Sequence, residues 1–304
     1  MRLNGIDIDD TFAEAFPMKA TRFVITAHTA AWALQAGASA TGFATSVIGC
    51  GCEAGIETAL EPSQTPDGRP GVAVLMFSIS GKELAKHVER RVGQCVLTCP
   101  TTAVFAGLPQ GEPIPLGRNI RFFGDGWQIA KVIDGVRYWR VPVMDGEFLA
   151  QESTPVIKGV GGGNLLLMAA DTEAALAGAE AAVAAMRRVP NVILPFPGGV
   201  VRSGSKVGSK YPALVASTNE AYCPSLAHLA ARSEIGAGIR CVLEIVIDGL
   251  GEADVAQAMR AGIGAVVARG GEAGMRRISA GNYGGKLGPF HFRLRDLAPA
   301  GGAS

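Results

Sequence analysis

The segment at residues 195–210 concentrates groups that can bind a charged ligand. It carries three cations, three serine hydroxyls and four glycines, and Gly-Ser-Lys occurs twice in it. Arg202, Lys206 and Lys210 supply positive charge, Ser205 supplies a hydroxyl between them, and the glycines let the backbone approach a ligand at positive φ. This composition predicts a site for an anionic or strongly polar ligand. A glycine-rich turn with solvated lysines remains the alternative interpretation.

Common phosphate-binding motifs do not match this chain. In a Walker A loop a lysine follows the second glycine directly, whereas here Ser205 follows Gly204 and the lysine comes one position later. A dinucleotide fingerprint also fails near residue 160, because Asn164 occupies the place of the last glycine. These mismatches argue against nucleoside triphosphate and nicotinamide ligands.

Glu244 interrupts an apolar, strand-like run at residues 241–247. A carboxylate in such a run costs free energy when it is buried, unless it is paired, protonated or used in function. Strand alternation leaves a second interpretation open, in which Leu243 and Ile245 face the core and Glu244 points to solvent.

A second glycine-rich stretch, residues 279–288, contains Asn282 and Lys286. Asn282 can donate its amide to a carbonyl oxygen, and Lys286 can bind a remote carboxylate. A turn held by asparagine and glycine explains the same pattern equally well, so both interpretations stay open.

Composition restricts the class of protein. The 304 residues are 48% hydrophobic and 18% charged, and the net charge of +1 gives no electrostatic case for nucleic acid or an anionic membrane surface. No run approaches the length of a membrane-spanning helix, and the first residues lack signal-peptide features, so we expect a cytoplasmic protein. Neither Cys50 and Cys52 nor Cys95 and Cys99 have the usual spacing of zinc ligands, so we expect no metal.

Hydrophobic periodicity predicts strand-helix-strand units in both halves of the chain. The predicted strands lie at residues 22–27, 43–48, 72–79, 94–98, 165–169, 192–194, 241–247 and 290–294. The predicted helices lie at residues 28–38, after the N-cap Ser80, after the N-cap Asp171 with Leu176, Ala179, Val183 and Met186 on one side, and after Gly251 with Val255, Met259, Ile263 and Val266 on one side.

These elements predict an α+β fold with two ferredoxin-like α/β sandwich lobes. We place the N-terminal lobe at residues 1–146, together with a small antiparallel element that turns at Asp134 and Gly135, and the C-terminal lobe at residues 147–304. The tail at residues 298–304 is expected to fray.

The sequence resembles a known family, the formylmethanofuran:tetrahydromethanopterin formyltransferases. The matching segments run in order through nearly the whole chain, at residues 10–16, 40–48, 53–56, 93–96, 122–126, 195–199, 201–210, 215–219, 221–224, 241–250 and 278–288. The resemblance implies transfer of a formyl group between N5 of a tetrahydromethanopterin and the amine of methanofuran or a methylofuran, without a metal. Both carriers have anionic tails, and the transfer passes through a tetrahedral adduct.

Site residues follow partly from the resemblance. Glu244 lies in the motif of the family's active-site glutamate, which implies an acid/base or adduct-orienting role. Our own interpretation of the glycine-rich segments assigns substrate binding to the remaining candidates, which are Arg202, Ser205, Lys206, Lys210, Asn282 and Lys286.

The resemblance further implies a homotetramer, and the near-neutral charge is similar to the methylotrophic bacterial branch. In that branch the similar protein belongs to a formyltransferase/hydrolase complex in formaldehyde oxidation, so hydrolase-complex partners are expected. Two other hypotheses remain: a non-catalytic scaffold protein within such a complex, and a plain pterin-binding module.

Overall fold

The computed structural model describes residues 1–299, so most of the tail that is predicted to fray lies outside the described residues. The β-strands, in chain order, are β1 (Arg2–Leu3), β2 (Ile6–Ile8), β3 (Phe12–Thr26), β4 (Glu53–Leu60), β5 (Gly71–Ser78), β6 (Ala103–Ala106), β7 (Glu112–Pro115), β8 (Ile129–Ile133), β9 (Val136–Val143), β10 (Gly146–Gln151), β11 (Ser153–Ala169), β12 (Val192–Ile193), β13 (Ser205–Val207), β14 (Ala216–Thr218), β15 (Cys241–Gly249), β16 (Met275–Ser279) and β17 (Phe290–Arg293). The α-helices are α1 (Ala30–Thr41), α2 (Val47–Cys50), α3 (Gly81–Arg91), α4 (Gly117–Ile120), α5 (Thr172–Met186), α6 (Glu252–Arg269) and α7 (Leu294–Leu297). Among residues 1–299, no helix combines the length and the apolar character that crossing a membrane requires.

The chain divides into two compact units. The middle unit consists of Met18–Gly159, and the terminal unit consists of Met1–Pro17 together with the chain from Val160 onward. This division differs from the lobes predicted at residues 1–146 and 147–304. β3 and β11 each contribute residues to both units, and a continuous strand has no loop-like composition that would mark the change.

The middle unit has the order β3-α1-β4-β5-α3-β6, and its strands pair in the spatial order β4-β5-β3-β6. This is the ferredoxin-like arrangement that the sequence predicted. β10 then pairs parallel with β6 and is followed by β9 and β8. The predicted turn between β8 and β9 is confirmed, since Asp134 and Gly135 have φ of 50° and 78°.

The terminal unit repeats this order as β11-α5-β12-β15-α6-β16, and its strands pair as β12-β15-β11-β16. The ferredoxin-like prediction is therefore confirmed here too. β2 adds to β16 in parallel. The fourth strand of this unit is Met275–Ser279 and not the predicted strand at residues 290–294, although a strand at that later segment is confirmed. That later segment forms β17, which pairs with residues 12–15 of β3.

Helices α5 and α6 pack on one face of the terminal sheet. The Asp171 side chain accepts a hydrogen bond from the Ala174 N–H at 2.8 Å, so it caps α5 as predicted. Leu176 is 44% exposed, and Ala175 takes its predicted place in the core. The predicted apolar face of α6 is confirmed, since Val255, Met259, Ile263 and Val266 are fully buried. Truncating one of its large side chains to alanine would cost about 2–5 kcal/mol.

Two predicted strands of the middle unit are wrong. The segment at residues 43–48 leads into the helical turn Val47–Cys50. The Ser46 side chain caps this turn by accepting a hydrogen bond from the Ile48 N–H. The segment at residues 94–98 continues α3 as a π-helical turn, Val92–Val96, which buries Val92 and Val96. Short apolar runs are compatible with either state, and tertiary packing decides between them.

Within the terminal unit, one connection is much longer than the others. Residues 194–240 join β12 to β15, and they include the antiparallel pair β13 and β14. This connection lies on the sheet face opposite α5 and α6, because Ile235 and Ile239 pack with Leu166, Met168 and Val242 of β11 and β15. It contains the cationic glycine-rich segment.

Candidate active site

Glu244 lies in the middle of β15, on the sheet face opposite the helices. Its neighbours Leu243 and Ile245 point into the core between the sheet and α5 and α6. The predicted alternation is therefore confirmed, but Glu244 does not reach bulk solvent freely, because the long connection covers this face and leaves the side chain only partly exposed. A carboxylate in this position loses hydration, which favours its protonated form.

A β-bridge attaches the cationic segment to β15. The N–H of Val201 donates to the Glu244 carbonyl at 2.7 Å, and the Glu244 N–H donates to the Val201 carbonyl at 2.9 Å. Gly198, Gly199, Gly204 and Gly208 all have positive φ, between 45° and 87°, so this segment uses the backbone freedom that its glycines offer.

A pocket opens above Glu244 within the terminal unit. Its floor is formed by Asn164, Leu166 and Val242 of the sheet, and its walls come from the two glycine-rich segments and from the turn around Tyr222. The complete lining consists of Asn164, Leu166, Val201, Arg202, Ser203, Gly204, Ser205, Asn219, Tyr222, Cys223, Val242, Leu243, Glu244, Gly281, Asn282 and Tyr283. Arg202, Ser205 and Asn282, which were predicted from separate segments, thus meet Glu244 in one pocket.

The remaining predicted cations do not line this pocket. Lys206 forms an ion pair with Glu220, which joins the β13–β14 region to the turn that follows it. The side chains of Lys210 and Lys286 are exposed. Arg202 and Ser205 therefore line the pocket together with Glu244, whereas Lys206, Lys210 and Lys286 lie outside its lining.

Asn282 has a structural role that fits the turn interpretation. Its side-chain amide donates to the Thr11 hydroxyl at 3.0 Å and to the Phe12 carbonyl at 3.3 Å, and its oxygen accepts from the Gly284 N–H at 3.2 Å. These contacts occupy the amide that was expected to meet a substrate carbonyl.

Glu244 is electrostatically unusual. Burial raises its pKa from the ordinary value of 4.5 to about 7. Within residues 1–299 its carboxyl group makes no hydrogen bond or ion pair. A group that exchanges a proton near neutral pH and faces a pocket is suited to general acid/base catalysis.

Glu14 supports the pocket from outside its lining, and the sequence did not reveal this. It lies in β3 and is buried, and its carboxylate accepts hydrogen bonds from backbone N–H groups of the second glycine-rich segment, at Tyr283, Gly285, Leu287 and Gly288. In the sequence it appears as one acidic residue within the otherwise apolar residues 12–16. Its long-range partners gave no local signal.

Metal binding has no support in the described part of the chain. Among residues 1–299, no group of three or more His, Cys, Asp or Glu side chains is arranged to hold a metal ion. The chemistry available in the pocket comes from a carboxyl group, a guanidinium group, hydroxyls and backbone N–H groups.

Comparison with protein families assigns both halves of the chain. The family model described as formylmethanofuran-tetrahydromethanopterin formyltransferase matches residues 1–143, and the model described as FTR, proximal lobe, matches residues 146–297. The second match includes Glu244 and both glycine-rich segments.

Similar proteins cover nearly the whole chain. The formylmethanofuran–tetrahydromethanopterin formyltransferase of Methylococcus capsulatus is 64% identical over 98% of this chain and 99% of its own length. A component of the formyltransferase/hydrolase complex of Methylorubrum extorquens is 52% identical over 97% of this chain and 96% of its own length.

Solved structures agree with these relatives. The crystal structure of the Methylorubrum extorquens formyltransferase/hydrolase complex with methylofuran contains a chain with a TM-score of 0.95 and 51% identity, covering 98% of both chains. The formylmethanofuran:tetrahydromethanopterin formyltransferase of Methanosarcina barkeri has a TM-score of 0.92 and 48% identity, covering 98% of this chain and 100% of that one. The chain therefore belongs to the formylmethanofuran-tetrahydromethanopterin formyltransferase family.

Proposed function

We propose that this chain transfers a formyl group between N5 of a tetrahydromethanopterin and the amine of methanofuran or a methylofuran. The main structural support for this reaction is Glu244, whose carboxyl group has a pKa of about 7 and faces a polar pocket. Membership of the family supports the identity of the two carriers.

The reaction requires one C–N bond to form and one to break. The acceptor nitrogen attacks the formyl carbon and gives a tetrahedral adduct with negative charge on oxygen. The adduct collapses when the donor nitrogen leaves with a proton, while the acceptor nitrogen loses one. Glu244 is assigned the transfer of that proton between the two nitrogens, because it can accept and release a proton at neutral pH.

Arg202 and Ser205 are assigned to the carriers. A guanidinium group and a hydroxyl beside Glu244 can donate hydrogen bonds to the oxygen of the adduct or to a nearby anionic group. Lys206, Lys210 and Lys286 lie outside the pocket and are assigned to the anionic tails of the carriers, where long-range charge raises the encounter rate.

We further propose that the protein works as a cytoplasmic homotetramer in one-carbon metabolism, in the oxidation of formaldehyde, together with the other proteins of a hydrolase complex. The similar Methylorubrum extorquens chain is part of such a complex, which supports the proposed partners.

The test is the ultraviolet spectrum of formyl-tetrahydromethanopterin after mixing with methanofuran and purified protein. Formyl transfer gives a spectral change that requires both the protein and methanofuran. If the carrier binds tightly but does not react, the protein is a pterin-binding module. If neither binding nor transfer occurs with the isolated chain or after addition of the hydrolase-complex partners, the protein is a scaffold.

A further inference from the structure

Glu14 binds a loop that belongs to the same pocket as Glu244. Its side chain is 1% exposed, and both carboxylate oxygens accept backbone hydrogen bonds, among them from Tyr283 at 2.7 Å, Gly285 at 3.0 Å and Gly288 at 2.9 Å. Burial opposes the ionisation of Glu14, but these N–H groups outweigh it and lower its pKa below 4.5. Glu14 is therefore a fixed negative charge at neutral pH.

The loop at residues 281–288 is shaped to fit around this carboxylate. Gly284 and Gly285 have φ of 75° and 71°, which turns successive N–H groups toward Glu14. At Gly288 a Cβ would lie 2.1 Å from the Ala15 carbonyl oxygen, so the loop packs directly on the strand that carries Glu14.

The start of the loop is fixed separately. Asn164 is buried, and its side-chain oxygen accepts from the Gly281 N–H at 2.6 Å while its amide donates to the Gly281 carbonyl at 3.1 Å. The position of Tyr283 is thus set by Asn164 on one side and by Glu14 on the other.

Tyr283 connects Glu14 with Glu244. Its N–H is held by Glu14, whereas its side chain lines the pocket of Glu244. Burial raises the pKa of the Tyr283 hydroxyl, and the nearby carboxylates of Glu244 and Glu14 raise it further. The tyrosine therefore lies within electrostatic reach of both carboxyl groups.

We infer that Glu14 is a positioning residue of the active site: it holds the backbone of residues 283–288 so that Tyr283 covers Glu244 and limits its contact with water. The consequence for catalysis rests on the proposed function, because it assumes that Glu244 transfers the proton. That Glu14 holds the backbone of residues 283–288 follows from its hydrogen bonds and does not depend on the proposed function.

The experiment measures Glu244 directly. The infrared carboxyl band of Glu244 is titrated in the wild-type protein, with the Glu244→Gln variant as the subtracted reference. The other titratable or charged residues that line the pocket, Arg202, Tyr222, Cys223 and Tyr283, are present in both proteins, so their absorption cancels. The titration is then repeated with Glu14→Gln and Glu14→Asp, each against its own double variant with Glu244→Gln.

Glu14→Gln replaces a carboxylate by an amide that cannot accept all of these N–H bonds, so the loop should move and water should reach Glu244. We expect the titration midpoint to fall by about one pH unit or more from its wild-type value, toward that of a solvated carboxyl group. Glu14→Asp keeps the charge but shortens its reach, and we expect a smaller fall. Tyr283→Ala should reproduce the fall with Glu14 intact.

A control separates positioning from general stability. Glu57 is partly buried in the middle unit and accepts two hydrogen bonds from Arg22, both at 2.7 Å, so Glu57→Gln also removes a structural carboxylate. It should leave the Glu244 midpoint unchanged. An unchanged midpoint in folded Glu14→Gln or Glu14→Asp, or in Tyr283→Ala, overturns the inference. These titrations do not depend on turnover, so they remain decisive if formyl transfer is never observed.

Discussion

Val201 and Glu244 exchange both of their backbone hydrogen bonds, so the segment that carries the positive charges is joined to the strand that carries the partly buried carboxyl group. The bridge places Arg202, the next residue along the chain, at the wall of the pocket. A cationic segment that looks like a solvated turn in the sequence thereby forms part of the pocket wall beside Glu244.

Replacing Glu244 by glutamine should slow formyl transfer by about a hundredfold or more, the size expected when an acid/base group is lost. The amide keeps the shape of the side chain but cannot exchange a proton near pH 7. The rate is measured from the change in the ultraviolet spectrum at saturating carrier concentrations. The matched control is Glu180→Gln on the exposed side of α5, which should retain the wild-type rate. A wild-type rate in Glu244→Gln would remove Glu244 from the mechanism.

The partly buried carboxyl group of Glu244 should also make the stability of the protein depend on pH. The pKa of Glu244 is about 7 in the folded protein and 4.5 as its ordinary value, so between these values the folded state binds more protons than the unfolded state. The contribution of Glu244 to the free energy of unfolding is therefore greatest below pH 4.5 and falls as the pH rises through 7. The loss is at most about 3 kcal/mol.

Urea unfolding of the wild-type protein and Glu244→Gln at several pH values checks this dependence. The variant lacks the titrating group, so its stability relative to the wild type should improve as the pH rises from about 4.5 to above 7. A stability difference that stays constant over this range would show that Glu244 is ionised in the folded protein or is fully hydrated.

Neutralising the pocket arginine should affect carrier binding more than neutralising an exposed lysine. Arg202→Gln removes a charged donor beside Glu244, and we expect KM for one carrier to rise about tenfold or more. Lys210→Gln removes an exposed charge outside the pocket, and we expect a change of about threefold or less that disappears at high salt. Steady-state kinetics at low and high ionic strength compare the two. Equal effects would argue against the pocket as the binding site.

Glycines in the terminal unit should differ in their tolerance of alanine. Gly264 lies inside α6, and a Cβ there would meet no atom within 4 Å, so Gly264→Ala should stabilise the protein by about 0.5–1 kcal/mol. Gly288→Ala should destabilise it, because its Cβ would overlap the Ala15 carbonyl. Thermal unfolding midpoints measure both changes, and a higher midpoint for Gly288→Ala would contradict the packing described for the loop.

Regular periodicity made most of the fold predictable. The long, strongly patterned elements could be predicted from the sequence. In α6, for example, the apolar residues from Val255 to Val266 recur at a spacing that fits a helix and does not fit a strand. β16 was missed because Arg276 and Arg277 interrupt its apolar residues. The Arg277 side chain is satisfied by Asp9, at 2.7 and 2.8 Å, and this partner is remote in sequence.

The site was predictable where a residue conflicts with its surroundings. Glu244 attracted attention because a charge in an apolar strand is costly, and the structure indeed raises its pKa. Glu14 did not attract attention, although it too interrupts an apolar run, at residues 12–16. Its role depends on N–H groups about 270 positions further along the chain.

The two units have the same order of strands and helices but differ in the length of one connection. In the middle unit, the connection between β4 and β5 spans residues 61–70, and β5 is buried throughout. In the terminal unit, the corresponding connection spans residues 194–240, and the strand that follows it carries Glu244. If the halves arose by duplication, the middle unit has a short connection at this place, while the terminal unit has a long one that contributes Arg202, Ser205 and Tyr222 to the pocket. That loop is the natural target for directed evolution toward new acyl carriers, since the remaining strands and helices supply their own hydrophobic core.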